Sequence, residues 1–171
     1  MALQVNKLFR KALRNGELKA ERQLYYYNKW DGYNIVWTPE YNMTTKWAKN
    51  YPYPIGHTLS RGVYMIIYIP TGEIMYIGEG KVWNRVGHHG RIYRSMQNYK
   101  TYKGWVKAIN ISYSRGGHEC SKKMIGFDRS SLNLWSYKLC ITDNKDIAKE
   151  YENALKESIK PPFNVKGYDI T

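Results

Sequence analysis

The chain has 171 residues, enough for one hydrophobic core with an appended lobe and too few for two full-sized independent domains. Hydrophobic residues make up 43% and aromatics 15%, with 17 tyrosines and 6 tryptophans, a composition that excludes an intrinsically disordered chain. The 27 lysines and arginines against 14 aspartates and glutamates give a net charge of +13, which points to a polyanionic partner, nucleic acid first among them.

In residues 5–14, Val5, Leu8, Phe9, Ala12 and Leu13 keep helical spacing while Lys7, Arg10, Lys11 and Arg14 fill the remaining surface. Such a basic amphipathic helix is either a solvated face over a core stripe or a phosphate contact. This N-terminal stretch lacks the apolar segment of a secretory signal, and no apolar run approaches the roughly 20 residues that span a bilayer. A cytoplasmic protein with no membrane association is the expectation. From Tyr25 to Pro54 aromatics alternate with Asn, Lys, Pro and Gly without a sustained period, apart from a short strand at 33–37 and a helical turn at Trp47. These aromatics either pack together or stack on bases. Residues 1–60 therefore read as an accessory region that contacts DNA.

Residues 62–69 and 73–78 are rich in Val, Ile, Met and Tyr and flank "PTG", which predicts a β-hairpin. Helices are expected over 81–99 and 101–110, a basic loop over 113–131 around "RGGHECSKK", and a third strand at 134–142. Asp143 or Asn144 then caps a helix to Ile159, with Ile147, Tyr151, Ala154, Leu155 and Ile159 as its buried stripe. Cys120 and Cys140 have no CxxC or CxxH partner, so neither a zinc site nor a disulfide is signalled.

If "PTG" closes the hairpin, residues whose numbers sum to about 142 face each other, which sets Tyr64 one diagonal step from Tyr76. Even-numbered residues, Tyr64, Ile66, Ile74 and Tyr76, then share one face unless a bulge intervenes, while Val63, Met65, Ile67, Met75 and Ile77 pack on the other. Arg85 and His89, four apart, project from one face of the next helix and suit an anionic substrate. Glu152 lies at the edge of the last helix's apolar stripe, and Asn164 follows twelve residues later, past a double proline.

The tripeptides "GVY" (62–64) and "YIG" (76–78), eleven residues apart and followed by an Arg and a His on a helix, resemble the signature of the GIY-YIG nuclease superfamily. The later "EYENALKESIKPPFN" is similar to that family's end, where a helix carries the metal-binding Glu and a short return carries an Asn. The resemblance covers roughly residues 60–169. Val63 replaces the usual Ile, Arg85 follows Gly78 by seven residues rather than the eight of many members, and 99–133 is longer than the minimal family core. Glu150 competes with Glu152, and His88 with His89. Two residues are about 200° apart on a helix, so only one glutamate can face the site; "EN" before an apolar run favours Glu152, and the step from Arg85 favours His89.

The resemblance implies an α+β fold: a small three-stranded mixed sheet flanked by helices in ββαα-β-α order, spanning 61–171 with an insertion at about 99–133. It further implies hydrolysis of a phosphodiester by water with one divalent cation, Mg²⁺ or Mn²⁺, held by Glu152. Tyr64, its pKa lowered by nearby cations, would be the base and Tyr76 would orient the water or the phosphate. Arg85 would contact the charged transition state, His89 would hydrogen-bond Tyr64 or relay its proton, and Asn164 would brace the site or touch a phosphate. The substrate is double-stranded DNA, cut by a homodimer because one site cuts one strand. Lys81, Arg91, Arg115, Lys122, Lys123 and Arg129 are the candidate DNA contacts. A compact chain without a separate DNA-binding module looks most like the stand-alone type II restriction endonucleases. Homing, phage-type and repair-type members, or a non-catalytic nucleic-acid-binding protein, are the alternatives.

Overall fold

The structure, a computed structural model, describes residues 37–44, 61–109, 118–142 and 144–165. The helix at 5–14, the strand start at 33, the turn at Trp47, Arg115 and the alternative cap Asp143 lie outside the described residues. In chain order the elements are β1 (Tyr41–Asn42), β2 (Arg61–Tyr68), β3 (Glu73–Lys81), α1 (Val82–Gln97), α2 (Tyr102–Ile109), α3 (Glu119–Phe127), β4 (Trp135–Ile141) and α4 (Lys145–Ile159). A 3₁₀ turn, Pro162–Asn164, follows α4.

The four strands form one sheet in the order β1-β4-β2-β3, with every neighbouring pair antiparallel. The expected three-stranded mixed sheet is thus corrected to four antiparallel strands. The added strand, β1, comes from the region expected to be an accessory. It is fixed to β4 by the Tyr41–Tyr137 and Asn42–Ser136 pairs and by a bond from the Thr38 N–H to the Leu139 carbonyl, 2.8 Å long.

The apolar runs of β2 and β4 are nearly continuous because both faces of the sheet are covered. On one face Tyr64, Ile66, Tyr68, Trp135, Tyr137 and Leu139 pack under α1 and α3. On the other, Val63, Met65, Ile67 and Ile77 pack under Ala148, Leu155 and Ile159 of α4. The segment 113–131, expected as loop, contains α3, whose Cys120, Met124 and Phe127 enter the first core. The stripe of α4 keeps Leu155 and Ile159 as expected but is completed by Ala148 and Glu152, with Ile147, Tyr151 and Ala154 only half-buried, so Glu152 belongs to the buried side rather than its edge.

Hairpin pairs keep the sum of 142 from Arg61–Lys81 to Ile66–Tyr76, then shift to Ile67–Ile74. The β-bulge at this point inserts one residue into β3 and reverses the alternation beyond it. Met75 consequently joins the Tyr64 side of the sheet and Ile74 the α4 side, opposite to the expectation from parity alone. Tyr64 and Tyr76 lie on the same side of the shift and still share a face. Among the described residues no helix is long and apolar enough to cross a membrane.

Candidate active site

Tyr64 sits in β2 directly opposite Gly78 of β3. Its ring lies across that glycine: a Cβ on Gly78 would fall 2.8 Å from Tyr64 Cε1 and closer still to the phenol oxygen. The other glycine of the paired tripeptides, Gly62, is required for a different reason, since a Cβ there would lie 2.9 Å from the Cys140 carbonyl carbon on β4. One glycine lets a side chain lie flat and the other lets two strands pair.

Three rings converge at this point. The Tyr64 and Tyr76 centroids are 6.0 Å apart, and His89 of α1 lies 5.6 Å from the first and 5.9 Å from the second. Tyr64 Oη and His89 Nε2 are hydrogen-bonded at 2.8 Å. His89 is 4% exposed, its Nδ1 has no hydrogen-bond partner, and its backbone carbonyl accepts from Ser121 Oγ of α3 at 3.0 Å. Burial, then the positive charge of His88 and Arg85, pushes the imidazole down to about 3, so it is neutral at physiological pH. His88, the competing histidine, points elsewhere and stacks on His118 at 6.0 Å.

The protein's own groups raise the Tyr64 pKa rather than lower it. Burial pushes it well above the ordinary phenol value, Tyr76 and Cys120 add to the rise, and Arg85 opposes them with a smaller effect. Tyr76 is raised as well, by burial first and then Cys120, with Glu152 adding to the rise and Tyr64 and Arg85 opposing it. The protein's own residues therefore hold both groups as neutral phenols. Cys120, which supplies part of this effect, lies in the segment expected as loop; the spacing of Cys120, Met124 and Phe127 was the helical signal available there.

Arg85 and His89 are one turn apart but differ in exposure. Arg85 is exposed at the start of α1, its Nε just above Gly80, where a Cβ would lie 3.3 Å away. It lines an open cleft of about 650 Å³, which it shares with Lys81, His88 and Arg91. Its charge is nevertheless felt by Tyr64, Tyr76 and His89.

Glu152 reaches the same edge from the opposite face of the sheet. It is 6% exposed, whereas Glu150 is exposed. Its Oε1 accepts from Lys156 at 2.7 Å and Lys149 at 3.3 Å, so Oε2 carries neither of these bonds. A nearly buried carboxylate beside Tyr76, with one oxygen outside its ion pairs, fits a hard divalent cation that keeps most of its water ligands. Among the described residues no group of three or more His, Cys, Asp or Glu side chains could hold a metal, so any such ion would rely on this single carboxylate.

Asn164 closes the arrangement. β3 is an edge strand, and the Ile77 backbone, between Tyr76 and Gly78, would otherwise present an unpaired N–H and C=O. Asn164 Oδ1 accepts from Ile77 N at 2.8 Å, and its Nδ2 donates to Ile77 O at 2.9 Å. A single side-chain amide thus takes the place of a neighbouring strand. Pro161 and Pro162 lead into the turn that presents it.

The remaining expected contacts separate. Lys81 and Arg91 are exposed on the cleft, and Lys122 is exposed with its Nζ 4.7 Å from the centre of the Tyr102 ring. Lys123 donates to the Phe163 carbonyl at 2.7 Å, beside Asn164. Arg129 donates through Nη2 to the carbonyls of Gln97 and Tyr99 at the end of α1. Arg61, Glu79 and Lys145, which the sequence did not single out, also line the cleft. No protein-family model, curated protein or solved structure matches the chain.

Proposed function

We propose that the chain is a metal-dependent endodeoxyribonuclease of the GIY-YIG type, acting on double-stranded DNA in the manner of the stand-alone type II restriction endonucleases. The observation that carries this reading is the meeting of Tyr64, Tyr76, His89, Arg85 and Glu152 at one sheet edge, although they come from two strands and from helices on opposite faces. The net charge of +13 supports a polyanionic substrate.

In this reading Glu152 holds one Mg²⁺ or Mn²⁺, which when bound supplies neutralisation of charge developing on the phosphoryl oxygens. Arg85, on the cleft wall, offers its fork of donors to the non-bridging oxygens of the reacting phosphate. Tyr76 orients the phosphate or the attacking water. Tyr64, hydrogen-bonded to His89 Nε2, would accept the proton of the water as its phenolate, its own proton having first left to solvent. Burial makes the Tyr64 phenolate scarce and correspondingly basic. Asn164 touches Ile77 rather than substrate and fixes the backbone on which Tyr76 is carried. Cutting both strands takes two such sites, so the active species is a homodimer on DNA.

The same observations leave one other reading with specific support. A raised Tyr64 pKa is also what a buried structural phenol shows, and a cationic surface alone binds nucleic acid without cutting it. Incubating the protein with supercoiled plasmid, with and without Mg²⁺, separates the two. Discrete fragments are expected with Mg²⁺, whereas scattered nicking favours a phage or repair type, and intact DNA overturns the nuclease reading.

A further inference from the structure

The cleft that Arg85 walls on one side extends toward residues with no part in the proposed chemistry. Its other walls include Arg61, opposite Lys81 at the open end of the hairpin, and Lys145, the first residue of α4. With Lys81, Arg85 and Arg91, five cationic side chains face one open volume. Among the described residues the single lining carboxylate is Glu79, whose Oε2 is buried without a hydrogen-bond partner. Such crowding of like charge is unfavourable until an anion enters.

The distribution of the charge indicates what kind of anion. Arg85 and Arg91 are six residues apart on α1, about 9 Å along the helix, and the other cations come from β2, β3 and α4, so the charge follows a track rather than a point. No phenylalanine, tyrosine or tryptophan lines the cleft among the described residues, and its one imidazole, His88, is already stacked on His118. Cations along a track, with no phenylalanine, tyrosine or tryptophan ring among them, recognise a sugar-phosphate backbone irrespective of sequence.

We infer that this cleft carries the phosphodiester backbone flanking the reacting phosphate, with Arg61 and Lys145 as its phosphate contacts. The inference rests on the nuclease reading above and adds to it the path of the DNA strand away from Tyr64 and Glu152. The cleft positions the strand, and sequence is read elsewhere.

The test measures anisotropy of a fluorescein-labelled DNA duplex with the full chain, without divalent cation, over a series of NaCl concentrations. Replacing Arg61→Gln and Lys145→Gln together should weaken binding and lower the slope of log K against log[NaCl] by about 2, one for each lost phosphate contact. The pair Lys100→Gln and Lys107→Gln removes the same charge from exposed positions outside the cleft and should leave the slope near the wild-type value. Equal slope changes in the two pairs, or no change in the first, overturn the inference. Wild-type binding and the expected slope loss without strand cleavage in Mg²⁺ would overturn the nuclease reading and leave the cleft assignment standing. A wild-type chain that binds no duplex overturns both.

Discussion

Tyr64 Oη and His89 Nε2 lie 2.8 Å apart across the junction of β2 and α1, and both groups are neutral in the resting protein. If Tyr64 is the base, its phenolate is the active form, and burial keeps that form scarce over the whole neutral range. The single-turnover cleavage rate should therefore climb about tenfold per pH unit between pH 6 and 9, because the basic form rises tenfold for each unit below the pKa. Tyr64→Phe should lower the rate by about 10²–10⁴-fold. A flat wild-type profile, or near-normal turnover in Tyr64→Phe, would remove Tyr64 from the base role.

The same imidazole makes an acid-stability prediction that does not depend on catalysis. His89 binds its proton near 6.5 in the unfolded chain and only at about 3 in the folded one. Between those values the unfolded state holds more protons, so stability is present above pH 6.5 and is lost as pH falls toward 3. The loss from this residue should be about 1.4 kcal/mol per pH unit inside that window. His89→Gln should flatten the acid limb of a urea-unfolding series, and an unchanged limb would show that the buried histidine is not its source.

Asn164 makes two hydrogen bonds to one edge-strand residue, Ile77, and no other described side chain supplies both. Asn164→Ala leaves that N–H and C=O to solvent or unpaired, and should cost about 1–3 kcal/mol in chemical denaturation. Asn164→Asp keeps the acceptor for Ile77 N but sets a carboxylate oxygen against Ile77 O, so it should recover little of the loss. Faster amide exchange at Ile77 in Asn164→Ala is the local readout; unchanged exchange there would contradict the bracing role.

How much of this was legible in the sequence differs from element to element. The hairpin register followed from one tight turn, because "PTG" fixes the pairing near it and period-2 geometry carries it onward. The bulge at Met75 could not be read, since Met75 and Ile74 are both apolar and fit either core. β1 escaped notice because two residues carry no period, and its place is set by partners near residue 137 in β4. Its neighbour Thr38 is tied down in the same way by Leu139, about a hundred positions away. α3 was hidden by the Gly116–Gly117 pair and the polar run after it, although Cys120, Met124 and Phe127 kept a helical stripe. The charge of Arg129 is visible in sequence, while the carbonyls of Gln97 and Tyr99 that it caps are not.

For Glu152 the sequence supplied the residue and the fold supplied its burial. It lies on the covered side of α4, beside Tyr76, while Glu150 faces solvent. Glu152→Gln preserves the shape and removes the negative charge, so binding of a DNA duplex should be retained.

The most direct test of the central claim is single-turnover cleavage of a substrate duplex in Mg²⁺ by the wild-type chain and by Glu152→Gln, with duplex binding measured alongside. The account predicts strand cleavage by the wild type, its loss on chelation of the metal, and no cleavage by Glu152→Gln at near-normal affinity. Equal cleavage by the two proteins would contradict it.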